Sequence, residues 1–117
     1  MILGIYGAGG LGREILETAR LINKHQNKWE SIIFIIDNSD LIEVQGIKVY
    51  NLMEANEKYV QNLELALAIG EPETRRKIIA GTNALKIPFV TIVHPSVEIP
   101  ESTKVGKGCY IASNSFI

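Results

Sequence analysis

Apolar residues along this chain follow three rhythms in turn. The opening run Ile2-Leu3-Gly4-Ile5-Tyr6 is continuous and closed by glycines, which predicts a strand buried on both faces and hence a parallel sheet. From Leu11 the spacing becomes helical. Leu11, Ile15, Ala19 and Ile22 recur on one side, and Arg13, Glu14, Glu17 and Arg20 fill the others, so an amphipathic helix follows the strand directly. Ser31–Ile36 reads as a second buried strand, stopped by the turn chemistry of Asp37-Asn38-Ser39-Asp40. Gly46–Tyr50 predicts a short extended piece, with Asn51 placed to cap a brief helix through Tyr59. Leu63–Ile69 predicts a third buried strand ending at Gly70, and Pro72 suits the first turn of a helix reaching about Leu85. Phe89–Val93 predicts a fourth strand. Strands alternating with helices predict an α/β fold over residues 1–95: a Rossmann-like, doubly wound parallel sheet with helices on both faces.

A third rhythm begins after His94-Pro95, where helix formers give way to Pro, Gly, Ser and Val. Ile99, Val105, Ile111 and Ile117 stand six residues apart. Pro100, Gly106 and Ala112 follow the first three, and Thr103, Cys109 and Ser115 come four residues after them. Such hexads predict the start of a parallel β-helix over residues 96–117, each aliphatic residue pointing inward and the small residues turning the corners. These units amount to about one coil, fewer than the stacked repeats such folds need.

The composition, 46% hydrophobic and 21% charged over 117 residues, is that of one globular unit. A formal net charge of −1 supplies no field to gather nucleic acid or an anionic membrane. The longest apolar runs are strand-sized, far short of the ~20 residues of a spanning helix. Cys109 is the sole cysteine and Met1 leads straight into a strand, so the expected compartment is the cytoplasm.

Candidate chemistry gathers at Gly7-Ala8-Gly9-Gly10-Leu11-Gly12, a G-x-G-x-x-G spacing between strand and helix. Gly7 permits the tight turn, Gly9 lets a phosphate approach the backbone, and Gly12 lets helix and strand pack closely. N–H groups at the helix start then face the anion. The plain alternative is a glycine-rich turn without a ligand. Asp37 ends the second predicted strand 25 residues beyond Gly12, where an acidic residue accepts hydrogen bonds from a ribose; an Asx-turn residue fits equally well. Arg76 and Lys77 read as a solvated helix face. Arg75 differs, because it lies one turn after Gly70, at the strand edge where ligands collect.

Other candidates are weaker. No carboxylate at an interpretable spacing orients His94 as a general base. His25 sits in a polar stretch, and two histidines with one cysteine make no metal set. Cys109 occupies a small-residue repeat position, and Ser113 and Ser115 have no visible partners.

Taken together, Gly7–Glu14, Ala68-Ile69-Gly70 with Arg75, Val93-His94-Pro95-Ser96 and the hexads from Ile99 resemble the NeuD/PglD family of sugar O- and N-acyltransferases. The resemblance covers the whole chain. It implies acetyl-CoA-dependent transfer to a sugar hydroxyl or amine. It also implies a UDP- or CMP-linked sugar on the first domain, and a homotrimeric left-handed β-helix holding acetyl-CoA between subunits. Carried residue by residue, it assigns substrate binding to Gly7, Gly9, Gly10, Asp37, Gly70 and Arg75. Leu11 departs from the pattern, since many relatives carry histidine there. The catalytic histidine of the family lies in later coils, so this chain alone is expected to have no catalytic residue, to hold no acetyl-CoA, to be inactive and to leave a coil edge that is frayed in a monomer or covered by self-association. An NAD-dependent oxidoreductase domain is the nearest rival, followed by a nucleotide-binding module without catalysis.

Overall fold

The structure, a computed structural model, describes residues 1–113. Its elements in chain order are β1 (Ile2–Tyr6), α1 (Gly10–Gln26), β2 (Ser31–Ile35), β3 (Glu43–Val44), β4 (Ile47–Tyr50), α2 (Leu52–Lys58), β5 (Leu63–Leu67), α3 (Pro72–Ala84), β6 (Ile92–Val93) and β7 (Tyr110–Ile111). Five strands form one sheet in the order β3-β4-β2-β1-β5. β1 runs parallel to both neighbours, with Ile2 opposite Ser31 and Leu63.

Alternation along β1 divides the core. Leu3 and Ile5 meet Ile15, Leu16, Ala19 and Ile22 of α1. Ile2 and Tyr6 join Ile33, Ile35, Leu65 and Ala55, against which Ile78 and Ile79 of α3 pack. Helices therefore cover both faces, as the uninterrupted apolar strands require. The join from α1 to β2 is fixed by Trp29, 1% exposed, whose indole Nε1 donates to Glu64 Oε1 at 2.8 Å. Asn23 holds the backbone of Trp29 from both sides, donating to its carbonyl at 2.8 Å and accepting from its N–H at 2.7 Å.

Two regions differ from the sequence expectation. The short extended piece is half of a hairpin: β3 pairs antiparallel with β4 through Gln45 and Gly46, both at positive φ (50° and 77°), the two-residue turn that matches strand twist. The expected fourth strand is split. Phe89 makes one parallel bridge to Leu65. The chain then leaves the sheet, and Ile92, 1% exposed, joins the core against α1. Burial on that helix outweighs further edge pairing, a tertiary effect that strand propensity does not contain.

β6 instead pairs in parallel with β7, Ile92 opposite Tyr110 and Val93 opposite Ile111. Both pairs are offset by 18 residues (110 − 92 and 111 − 93), three of the six-residue spacings, which brings Val93 into phase with Ile99. The Tyr110 hydroxyl lies 3.2 Å from Thr18 Oγ1, so this segment is docked on α1. The repeat positions Ser115 and Ile117 lie outside the described residues. No helix among the described residues is long and apolar enough to cross a membrane.

Candidate functional site

From β1 the chain builds outward through β2 to β4, then places β5 on the other side of β1. Such a reversal opens a crevice at the carboxyl ends of the strands, where α/β sheets collect ligands. β1 delivers the glycine loop to this edge, and β5 delivers Ala68–Gly70 beside it.

The glycines of the loop serve different ends. Gly7 has φ of +112°, and a Cβ there would stand 2.9 Å from the carbonyl oxygen of Ala68, so both conformation and space demand glycine. A Cβ on Gly12 would lie 2.0 Å from the carbonyl oxygen of Gly7, which makes Gly12 the contact where α1 starts against β1. Gly9 and Gly10 have nothing within 4 Å of a Cβ position. Both are exposed, and no side chain of the protein packs over them, which leaves room for an approaching phosphate.

Capping separates this helix from the other two. Asn51 and Glu54 close a capping box on α2, and Glu71 accepts from the N–H groups of Glu73 and Thr74 on α3. Hydrogen bonding to Thr74, through its side chain first and then its backbone, and to the backbone of Glu73 holds the Glu71 carboxyl below its usual pKa. α1 begins at Gly9 with no side-chain cap and no acidic residue in its first turn. Its first-turn donors and positive dipole end are left to something outside the chain's own caps.

Asp37 sits exposed just beyond the carboxyl end of β2. One carboxylate oxygen accepts from the Tyr6 hydroxyl, and the other from the N–H of Leu52 at 3.0 Å. Asp37 thus ties β1 to the start of α2, and a ribose would use its remaining lone pairs. Sequence reasoning missed Tyr6, because a tyrosine closing a buried strand gives no local sign of a partner 31 residues away. Burial, then the bond to Asp37 and its charge, push the Tyr6 pKa well above 10.0. A raised pKa means stability present below the unfolded tyrosine value and lost as pH climbs through the folded one. Stability should therefore fall above about pH 10, and Tyr6→Phe should shorten that fall in alkaline urea titrations.

Arg75 is half-buried, unlike its exposed neighbour Arg76, and its guanidinium reaches the carbonyl of Ile69 at 3.4 Å. The Ile69 side chain in turn abuts Gly7, so Arg75 stands one residue from the glycine loop. Gly70 is exposed and open where a Cβ would project. Leu11 is 38% exposed on the first turn of α1. Beside Asp37, a depression of about 520 Å³ is lined by Asn38, Ser39, Leu41, Ile42 and Tyr50 among others.

The remaining candidates stay apart. His94 Nδ1 accepts from the Ser96 N–H at 3.1 Å and lies 2.8 Å from Ser96 Oγ, a local turn with no carboxylate bonded to the ring. His25 and Cys109 are exposed and far apart in the fold's order. A cavity of about 450 Å³ lined by Met1, Gln61, Leu85 and Lys86 lies at the amino ends of the strands, opposite the glycine edge.

The fold and this edge define an α/β domain built around a glycine loop at a topological switch point. The chain belongs to the family described as the PglD N-terminal domain, whose model matches residues 3–81, which bears out the NeuD/PglD resemblance. Among solved structures, it is similar to the acetyltransferase domain of PglB from Neisseria gonorrhoeae FA1090 in complex with acetyl coenzyme A. The match has 24% identity and a TM-score of 0.80, covering 95% of this chain and 52% of that one. PerB from Caulobacter crescentus, in complex with CoA and GDP-perosamine, matches at 21% identity and a TM-score of 0.76, over 96% of this chain and 51% of that one. These likenesses show the fold, and the chain spans about half the length of either structure. No curated protein matches the sequence.

Proposed function

We propose that this chain is the nucleotide-sugar-binding part of an acetyl-CoA-dependent sugar acetyltransferase. The observation that carries the reading is the uncapped start of α1, with Gly9 and Gly10 open in front of it, at the switch point of a PglD N-terminal domain. Gly7, Gly9 and Gly10 shape the loop that receives the phosphates, through backbone N–H groups and the helix dipole. Asp37 accepts from the ribose, and the base lies in the depression bounded by Asn38 and Tyr50. Gly70 leaves room for the sugar while Arg75 donates to a phosphate or sugar oxygen. The nucleotide is UDP or CMP; the GDP-perosamine held by PerB makes GDP-linked sugars the next to try.

The 18-residue register of β6 and β7 supports reading residues 96–117 as the first coil of a left-handed β-helix behind a domain of residues 1–95. In this reading the whole enzyme is a cytoplasmic homotrimer and its acetyl-CoA lies along later coils. The described part of the hexad segment does not fit that cofactor: it contributes one strand, β7, paired in parallel with β6, and the ring of His94 is engaged with Ser96.

Arg75→Ala should weaken nucleotide-sugar binding by about 1.5 to 3 kcal/mol, the worth of a charge-assisted hydrogen bond, while Arg76→Ala leaves it unchanged. Calorimetric titration of the pair tests this, and equal affinities would return Arg75 to the solvated face. The chain incubated with acetyl-CoA and UDP- or CMP-linked amino sugars should yield no 42-dalton gain by mass spectrometry, because among the described residues the ring of His94 is engaged with Ser96 and no carboxylate orients it, so general-base help of about a hundredfold to ten-thousandfold is not expected. Transfer at catalytic rates, lost in His94→Ala, would make the boundary histidine the base.

A further inference from the structure

At the amino ends of the strands, the pole opposite the glycine loop, lies a cavity of about 450 Å³, within the roughly 300 to 1,000 Å³ of small-molecule sites. Leu63, Leu85 and Ile87 give it an apolar floor, and Asn56, Gln61 and Lys86 are its polar groups. Two of these polar groups stand on turns that ordinarily take glycine. At the end of α3 the N–H of Ile87 donates to the carbonyl of Thr82 at 3.4 Å, and that of Lys86 to the carbonyl of Asn83 at 3.0 Å. This is a Schellman motif, whose left-handed residue is most often glycine; here it is Lys86, at φ of +59°. After α2, the N–H of Asn62 closes the turn Tyr59–Asn62 on the carbonyl of Tyr59 at 2.9 Å. The third residue of that turn, Gln61, has φ of +57°, a setting that favours glycine or asparagine.

Both turns thus keep a long polar side chain where glycine would relieve the backbone, and both residues line one cavity. The other non-glycine residues at positive φ among the described residues are Asn27 and Asn38, which tolerate it, and Gln45 in the exposed β3–β4 turn. Local strain of this kind collects at ligand clamps. Charge in the cavity is one-sided: among the described residues Lys86 is the one cationic side chain that lines it, and no carboxylate does. The Met1 amine at its edge is paired with Glu30 at 3.5 Å, whereas Lys86 forms no salt bridge among the described residues. One free ammonium and two amides offer too few donors for a phosphate or for the hydroxyls of a sugar. They match a single carboxylate, and the floor matches an apolar body.

We propose that this cavity is a second ligand site, shaped for a compact apolar acid whose carboxylate rests on Lys86 and whose aromatic or branched body covers Leu63 and Ile87. The site stands apart from the glycine loop and does not depend on what that loop binds.

Phenylacetate and phenylethanol share the ring and differ in the acid, which makes them the probes. In NMR titrations of the full chain, phenylacetate should shift the amide signals of Gln61, Leu63, Lys86 and Ile87 saturably and bind at least about fivefold tighter than phenylethanol. Lys86→Gly removes the cation and suits the left-handed turn, so it should raise the melting temperature by about 2 to 4 °C while bringing the two probes to within about twofold of each other. A gain in stability coupled to a loss of acid binding is what a residue kept for a ligand predicts, and a purely structural lysine would not produce it. Gly9→Val should bind phenylacetate as the wild type does, even where its nucleotide response is lost. The proposal is overturned by the absence of saturable shifts at those four amides, or by a preference for the acid that survives Lys86→Gly. A fall in melting temperature in Lys86→Gly, or loss of phenylacetate binding in Gly9→Val, overturns it as well, the last by placing the acid at the glycine edge.

Discussion

Gly12→Ala is expected to destabilise the protein by about 3 to 5 kcal/mol, a large share of the roughly 5 to 15 kcal/mol that holds such a domain. The added methyl would stand 2.0 Å from the carbonyl oxygen of Gly7 and 2.9 Å from its carbonyl carbon. Both are backbone atoms, so no side chain can swing aside. Relief requires α1 to move away from β1, and that helix carries Ile15, Leu16 and Ala19 into the core at 0% exposure. Gly9→Ala is the matched control. Gly9 has φ of −77° and ψ of −160°, extended backbone that alanine adopts, and its Cβ would meet nothing within 4 Å. It should change stability by less than about 0.5 kcal/mol. Urea denaturation of the two variants beside the wild type measures the contrast, and a Gly12→Ala protein as stable as Gly9→Ala would show that the helix does not start hard against the strand.

This contrast shows what a sequence can and cannot announce about such a loop. The glycine spacing, its position between strand and helix, and the packing role of Gly12 were legible, because strand burial and helical periodicity are local patterns. What crowds Gly7 was not, since that depends on Ala68 and Ile69 arriving after a strand some 60 residues later. The lone strand expected over Phe89–Val93 failed for the same reason. Its apolar content is real, but Ile92 is buried against α1 and not along the sheet edge. The β3–β4 turn was obscured because Gln45 is not a residue that marks a two-residue hairpin. Asp37 presents the opposite case: both meanings of an acid at a strand exit were visible, and the structure shows the bonds to Tyr6 and Leu52 that make it structural without removing its acceptor capacity. The hexads were plain from their spacing, whereas the inclusion of Val93 in the same phase emerges only from the strand register.

Gly9→Val should fold and lose ligand-induced stabilisation altogether. The branched side chain would project into the space in front of the α1 N-terminus, where phosphate oxygens must come within hydrogen-bond reach of the backbone. A ligand at about a hundred times its dissociation constant stabilises a protein by roughly 2.7 kcal/mol, so the difference between the two proteins is large on a thermal scale. Gly12→Ala could not serve here, since it weakens the fold together with the site.

The most direct test of the central claim is a thermal-unfolding panel of the wild type and Gly9→Val with UDP-, CMP- and GDP-linked sugars and with NAD. The account predicts that at least one nucleotide sugar raises the melting temperature of the wild type, that NAD does not, and that Gly9→Val responds to neither. Stabilisation of the wild type by NAD with no response to any nucleotide sugar would contradict it, and would assign the glycine loop to a dinucleotide.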